Sequence, residues 1–142
     1  MPPASDNLGD SGPAVDEDVL NVLLIEDDPA IAEMYRLRLT ADGYAVGVAA
    51  DGVDGLRRAR TELPDLIYLD LRLPELDGLQ VLEQLRASPE TASIPVVILT
   101  NYSDASMIER SFALGALEFL VKVDTSPDRL AELTSSWVAE YK

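Results

Sequence analysis

The stretch Val22-Leu23-Leu24-Ile25-Glu26-Asp27-Asp28-Pro29 runs four apolar residues straight into three carboxylates and a proline. An apolar run this short, closed off by charge, reads as a strand buried on both faces rather than as a helix. Pro29 suits the first turn of a helix that follows. A carboxylate just before it suits an N-cap and the positive end of the helix dipole. The bland reading of Asp27 and Asp28 is therefore a helix cap. Like charges held side by side repel, however, and a built site that keeps them together must supply a counter-charge.

Reading outward, the same grammar repeats. AVGVA (45–49), LIYL (66–69), VVIL (96–99) and FLV (119–121) are further short apolar runs bounded by turn or charged residues. Helical spacing lies between them. Ile31, Met34, Tyr35, Arg38 and Leu39 mark a first helix; Leu56, Ala59 and Leu63 a second; Leu79, Leu82 and Leu85 a third; Met107, Ile108 and Phe112 a fourth. Ser126-Pro127 opens a fifth, lined by Leu130, Leu133, Thr134, Trp137, Val138 and Tyr141. Gly43 and Gly115 stand where helix C-caps belong. Strands alternating with helices predict βαβ units with right-handed crossovers, hence a parallel sheet covered on both faces.

The 142 residues suffice for one domain with an ordinary core. No apolar run reaches the roughly 18–20 residues that cross a bilayer, and the N-terminus lacks the basic and apolar regions of a signal peptide. The absence of cysteine excludes disulfides and thiol chemistry and suits a cytoplasmic protein. The absence of histidine excludes imidazole metal sites and His-based triads. A net charge of −15 argues against direct contact with nucleic acid or an anionic membrane, and favours cations or basic partner surfaces. Residues 1–20 are rich in acid, Pro, Gly and Ser and predict a disordered leader ahead of a domain over residues 21–142.

In such a sheet every strand's C-terminal end lies on one edge, where ligands bind. Glu26, Asp27 and Asp28 follow the first run, Asp70 the third, Thr100 the fourth and Lys122 the fifth. Converging carboxylates suit a hard divalent cation, and Mg²⁺ fits best because it takes one or two carboxylates and keeps its waters. Glu26 is expected to point elsewhere in the pleat. The chain has nine arginines and two lysines, the other being Lys142, so a lysine at this edge suits a point-like ammonium. Carboxylates with Mg²⁺, one ammonium and one hydroxyl make a phosphoryl-binding site, with Asp70 placed as carboxylate nucleophile.

LLIEDDP, LDLRLPELDGL, ILTNYS and FLVK, in this order and spacing, resemble the receiver domain of two-component response regulators, over about residues 21–141. The resemblance implies a doubly wound, flavodoxin-like (βα)5 fold with a five-stranded parallel sheet in the order 2-1-3-4-5. It implies Asp70 as phosphoacceptor, Asp27 and Asp28 as the pair holding Mg²⁺, and the backbone carbonyl of Arg72 as a further ligand. Thr100 and Lys122 would bind phosphoryl oxygens, and Pro74 and Gly78 would shape the loop beyond. Phe119 occupies the aromatic switch position: Thr100 moving toward the phosphoryl group would let Phe119 turn. That turn would change the face made by the fourth helix, fifth strand and fifth helix.

Two positions depart from the family pattern. Val123 follows Lys122 where receivers usually carry proline in the cis form. A cis non-proline peptide costs roughly 2.5–4 kcal/mol, which predicts a trans Lys122–Val123 bond and an altered loop. Asn101 follows Thr100 where a smaller residue is usual, and Asn101, Tyr102 and Arg72 would flank the phosphoryl group and restrict water.

The expected function is a single-domain response regulator that accepts phosphate on Asp70 from a histidine kinase or phosphotransfer protein. It is not a turnover enzyme, and it signals to a downstream protein through the switched face, which is also the candidate surface for a homodimer. The alternative is a phosphorylation-independent interaction module on the same fold. A Mg²⁺-dependent phosphatase of the haloacid dehalogenase type is more remote, since Arg72 stands where its second aspartate belongs.

Overall fold

In the computed structural model of the chain, residues 19–141 are described. Five strands alternate with five helices: β1 (Asn21–Ile25), α1 (Pro29–Ala41), β2 (Ala45–Ala49), α2 (Gly52–Glu62), β3 (Leu66–Leu69), α3 (Gly78–Ala87), β4 (Val96–Thr100), α4 (Ala105–Ala113), β5 (Glu118–Val121) and α5 (Pro127–Tyr141). The sheet order is β2-β1-β3-β4-β5, and every pairing is parallel. This is the doubly wound order expected from the sequence, with the chain reversing direction across the sheet between β1 and β3. The leader expected over residues 1–20 lies, for residues 1–18, outside the described residues. By residue 20 the chain is already tied to the sheet, since the Leu20 carbonyl accepts from Ala45 N at 2.9 Å.

The strands divide their side chains between two cores, as period-two alternation requires. Leu23, Ile25, Ile67, Leu69, Val96 and Ile98 pack against α2 and α3. Val22, Leu24, Leu66, Tyr68, Val97 and Leu99 pack against α1 and α5. β1, β3 and β4 are buried along nearly their whole length, so a continuous apolar run is the correct signature for the three central strands.

Aspartates begin four of the helices. Asp28, Asp51, Asp77 and Asp104 each accept backbone N–H groups of the first turn, and Asp77 forms a reciprocal capping box with Gln80. Ser126 Oγ accepts from Arg129 N at 3.1 Å at the start of α5. Gly43 and Gly115, with φ of +96° and +83°, supply the left-handed residue after α1 and α4. The helical faces depart from the expected spacing at three residues. Met34 and Phe112 are 41% and 44% exposed, and Leu63 caps α2 at a φ of 48° instead of entering the core. The side chain of Tyr141 lies outside the described residues.

Tyr68, at the centre of the sheet, is fully buried and needs a partner for its hydroxyl. Thr134 Oγ1 spends its proton on the Leu130 carbonyl at 2.7 Å, so the short contact between Tyr68 and Thr134 has Tyr68 as donor. Burial pushes the Tyr68 phenol well above its usual range. Thr134→Val is isosteric but removes the acceptor. It is expected to cost about 1–3 kcal/mol in urea unfolding with the site chemistry unchanged.

Candidate functional site

A shallow cavity of about 320 Å³ at the C-terminal edge of the sheet is lined by Glu26, Asp27, Asp28, Asp70, Thr100 and Lys122. Asp70 lies one residue past β3 and is 5% exposed. Its Oδ1 accepts from Thr100 Oγ1 at 2.7 Å and from Arg72 N at 3.2 Å. Its Oδ2 accepts from Lys122 Nζ at 2.6 Å. The three residues read from three strand ends are thus in direct contact. The loop that follows is held close: a Cβ at Gly78 would stand 2.2 Å from the Asp70 carbonyl oxygen and 2.6 Å from Leu71 Cα. Only glycine permits that approach, which fixes the backbone on which Asp70 sits.

The acidic cluster differs from the expectation by one residue. Glu26, Asp27 and Asp70 each offer a carboxylate oxygen, and these lie within 4.8 Å of one another. Glu26, expected to point away, is 2% exposed and ion-paired to Lys122, while its Oε2 accepts from Asp28 N at 3.0 Å. Asp28 also lines the cavity, but its Oδ1 is engaged in capping α1, accepting from Ala30 N at 2.9 Å and Ile31 N at 3.2 Å. The helix-cap reading therefore holds for Asp28, and the cluster-forming pair is Glu26 and Asp27. The signal was in the sequence, because an aspartate directly before a first-turn proline is an N-cap signature.

Electrostatics explain why this cluster tolerates its charge. Burial pushes the Glu26 carboxyl up, Lys122 and the Asp28 N–H pull it back, and the charge on Asp70 pushes it up again, so it stays above the usual range. For Lys122, burial alone would lower the ammonium, but hydrogen bonds and charge from Asp70 and Glu26 outweigh it and hold its pKa above the ordinary value. Three carboxylates facing one ammonium leave two negative charges. No hydrogen bond or ion pair among the described residues engages the Asp27 carboxylate.

The roles of Asp27 and Asp28 separate experimentally. Asp28→Ala is expected to lower stability by about 1 kcal/mol, the worth of a cap. Mg²⁺ affinity should stay within about threefold of wild type, because the lost charge is exposed and screened. Asp27→Asn is expected to do the reverse, weakening Mg²⁺ with an unchanged urea midpoint. Calorimetric titration and urea unfolding on both variants check this.

Around the cavity, the Arg72 guanidinium lies over the Tyr102 ring, 5.1 Å from its centroid. Tyr102 N donates to Thr100 Oγ1 at 3.2 Å. Phe119 is half-buried, paired in register with Ile98 and packed on the core shared with Met107 and Leu114. The Lys122–Val123 peptide is trans, as expected, and Lys122–Asp124 form one turn of 3₁₀ helix. Sequence reasoning missed what holds that turn: Tyr35 Oη donates to the Thr125 carbonyl at 2.7 Å from α1, and Val123 N donates to Asn101 Oδ1 at 3.0 Å.

Among the described residues, no helix is long and apolar enough to cross a membrane. Comparison with known proteins agrees with the geometry. Residues 22–134 match the response regulator receiver domain family. The chain is 39% identical over 112 residues to the DNA-binding dual master transcriptional regulator RpaA of Synechocystis, an overlap of 79% of this chain and 46% of that protein. It spans about half the length of the curated relatives it matches. The CheY-like response regulator receiver domain protein of Methanospirillum hungatei superposes with a TM-score of 0.81 at 25% identity, covering 87% of this chain and 96% of that one. The Mn²⁺-bound form of the response regulator Rcp1 superposes with a TM-score of 0.75 at 27% identity, covering 83% and 94%. A doubly wound sheet with carboxylates, a hydroxyl and an ammonium at one edge, matched over most of its length, makes this chain a member of the response regulator receiver domain family of two-component signalling.

Proposed function

We propose that Asp70 accepts a phosphoryl group, with Mg²⁺ bound, from a phosphohistidine of a histidine kinase or phosphotransfer protein. The observation that carries this reading is the contact of the buried Asp70 carboxylate with both Thr100 Oγ1 and Lys122 Nζ beside two further carboxylates. The donor set fits a hard divalent cation: all oxygen, within 4.8 Å, and two negative charges in excess. That Rcp1 was solved with Mn²⁺ is in keeping with it. Glu26, Asp27 and Asp70 would hold the ion, with the Arg72 carbonyl as a fourth ligand. Once bound, the ion supplies positive charge to the phosphoryl oxygens.

The chain's own residues do the rest. A carboxylate oxygen of Asp70 forms the new O–P bond as the P–N bond of phosphohistidine breaks, and the electron pair departs on the imidazole nitrogen, leaving an acyl phosphate. Oδ1 already accepts from both Thr100 and Arg72 N, whereas Oδ2 accepts from Lys122 alone and keeps a lone pair, so Oδ2 can attack with the other bonds in place. Lys122 then pairs with a phosphoryl oxygen and Thr100 with another. Hydrolysis returns the carboxylate, and the Arg72–Tyr102 pair restricts the water that would do it.

Output follows from Thr100. Its hydroxyl now bonds Asp70, and in the phosphorylated state it turns to the phosphoryl group, opening room for Phe119 and remodelling the α4-β5-α5 face. A downstream partner with basic patches, or a second copy of the chain, would read that face. A phosphorylation-independent module has no observation in its favour here.

Beryllofluoride, which mimics an acyl phosphate, tests this reading without a kinase. Bound ¹⁹F signals that require Mg²⁺, with amide shifts at Thr100 and Lys122, are expected. Absence of bound signals at saturating Mg²⁺ would refute it.

A further inference from the structure

Lys122 begins a single turn of 3₁₀ helix, an element too short to hold itself. Thr125 N donates to the Lys122 carbonyl at 3.0 Å, Thr125 Oγ1 to the Val121 carbonyl at 2.8 Å, and Tyr35 Oη to the Thr125 carbonyl. These bonds tie the turn to β5 and α1. Thr100 ends β4 and pairs in register with Val121, so the sheet aligns the two segments up to the residue before Lys122. Just past that point Lys122 and Thr100 present their ammonium and hydroxyl to one carboxylate at 2.6 and 2.7 Å. Beyond the end of that ladder, Val123 N donates to the side-chain Oδ1 of Asn101 at 3.0 Å and carries the connection past the sheet. The side chain of Val123 contributes little to it, being 78% exposed in the residue as a whole. Because residue 123 is not proline, its N–H is present to be held.

We infer that Asn101 is a positioning residue for Lys122: its side-chain carbonyl clamps the Val123 amide and so keeps the ammonium in register with the hydroxyl of its chain neighbour, Thr100. Asn101 lines the same cavity, but the hydrogen bond of its side chain goes to the Val123 backbone, so it acts on Lys122 through the backbone. The catalytic consequence rests on the function proposed above, and the mechanical one does not.

The test uses the full chain with Asn101→Ala and Asn101→Asp. In Asn101→Ala, hydrogen exchange at the Val123 amide should speed up by about fivefold, the worth of one exposed hydrogen bond. The Lys122 ammonium, one of two lysines in the chain and so assignable by NMR, should become more mobile. Phosphorylation by acetyl phosphate at saturating Mg²⁺ should slow by a similar factor of about five. Mg²⁺ affinity and the urea midpoint should not move, which separates positioning from a merely structural role. Asn101→Asp keeps the acceptor oxygen and should keep Val123 protected.

Unchanged Val123 exchange in Asn101→Ala would overturn the clamp. Faster exchange with an unchanged Lys122 ammonium and unchanged phosphorylation would overturn its positioning role. If the wild-type chain takes up no phosphoryl group at all, the proposed function fails instead, and the Val123 and Lys122 signals still decide the clamp.

Discussion

Asp70→Asn takes up no phosphoryl group from acetyl phosphate or from a phosphohistidine donor, because an amide is not a nucleophile at phosphorus under these conditions. Its fold should survive. Asn can still accept from Thr100, and the Glu26–Lys122 pair remains, so the change in unfolding free energy should stay within about 1 kcal/mol. Mg²⁺ affinity should fall by at least about tenfold, the loss expected even for a residue that merely supports a metal ligand. Intact-protein mass and calorimetric titration read the two effects separately. An adduct of undiminished yield on the variant would remove Asp70 as acceptor, whatever the metal does.

Lys122→Met has the second large effect, and it strikes both chemistry and fold. The substitution keeps the length of the stem and deletes the ammonium that faces Glu26 and Asp70, whose side chains are 2% and 6% exposed. Stranding buried charge in this way costs about 3–5 kcal/mol in fully buried pairs, and about 3 is expected here at the rim of a sheet. The pH dependence follows from the two raised pKa values. Glu26 lies above its ordinary 4.5, so its contribution to stability is present below that value and lost as pH rises through the folded one. Lys122 lies above 10.5, so its contribution is present below 10.5 and lost as pH climbs through the folded value.

Without the ammonium that pulls Glu26 down, Lys122→Met loses more stability than wild type as pH rises from the acid range. The gap in urea midpoint between the two should therefore be small at about pH 4, widest between about pH 7 and 9.5, and should close as pH climbs beyond about 10.5. Mg²⁺ should narrow the gap at neutral pH, because it neutralises the same carboxylates. Phosphorylation should fall to background at every pH. A variant as stable as wild type at neutral pH, with no response to Mg²⁺, would mean that the ion pairs around Lys122 carry no net stability.

The architecture was legible because the three central strands are buried on both faces and so appear as unbroken apolar runs, each followed at once by its functional residue. Asp70, Thr100 and Lys122 were readable for the same reason: topology alone places strand ends side by side. The role of Glu26 was not, because a strand's alternation fades in the loop beyond it, and which of three consecutive carboxylates turns inward depends on the twist there. Asp28 is drawn off by the helix it caps, and Glu26 is drawn in by Lys122, a contact across 96 residues of sequence that no local pattern encodes. The exposed Met34 and Phe112 show the parallel limit on helices, where an apolar residue at the right spacing still faces solvent if no neighbour covers that side. The Asn101–Val123 bond lay furthest from reach, since it joins two loops through one side-chain oxygen and one backbone N–H.

The intact mass of the wild-type chain after incubation with acetyl phosphate, with and without Mg²⁺, tests the central claim most directly, once borohydride reduction has mapped the modified residue. A single phosphoryl adduct that requires Mg²⁺ and maps to Asp70 is the predicted result. An adduct that forms equally well without Mg²⁺, or that maps to another residue, would contradict it.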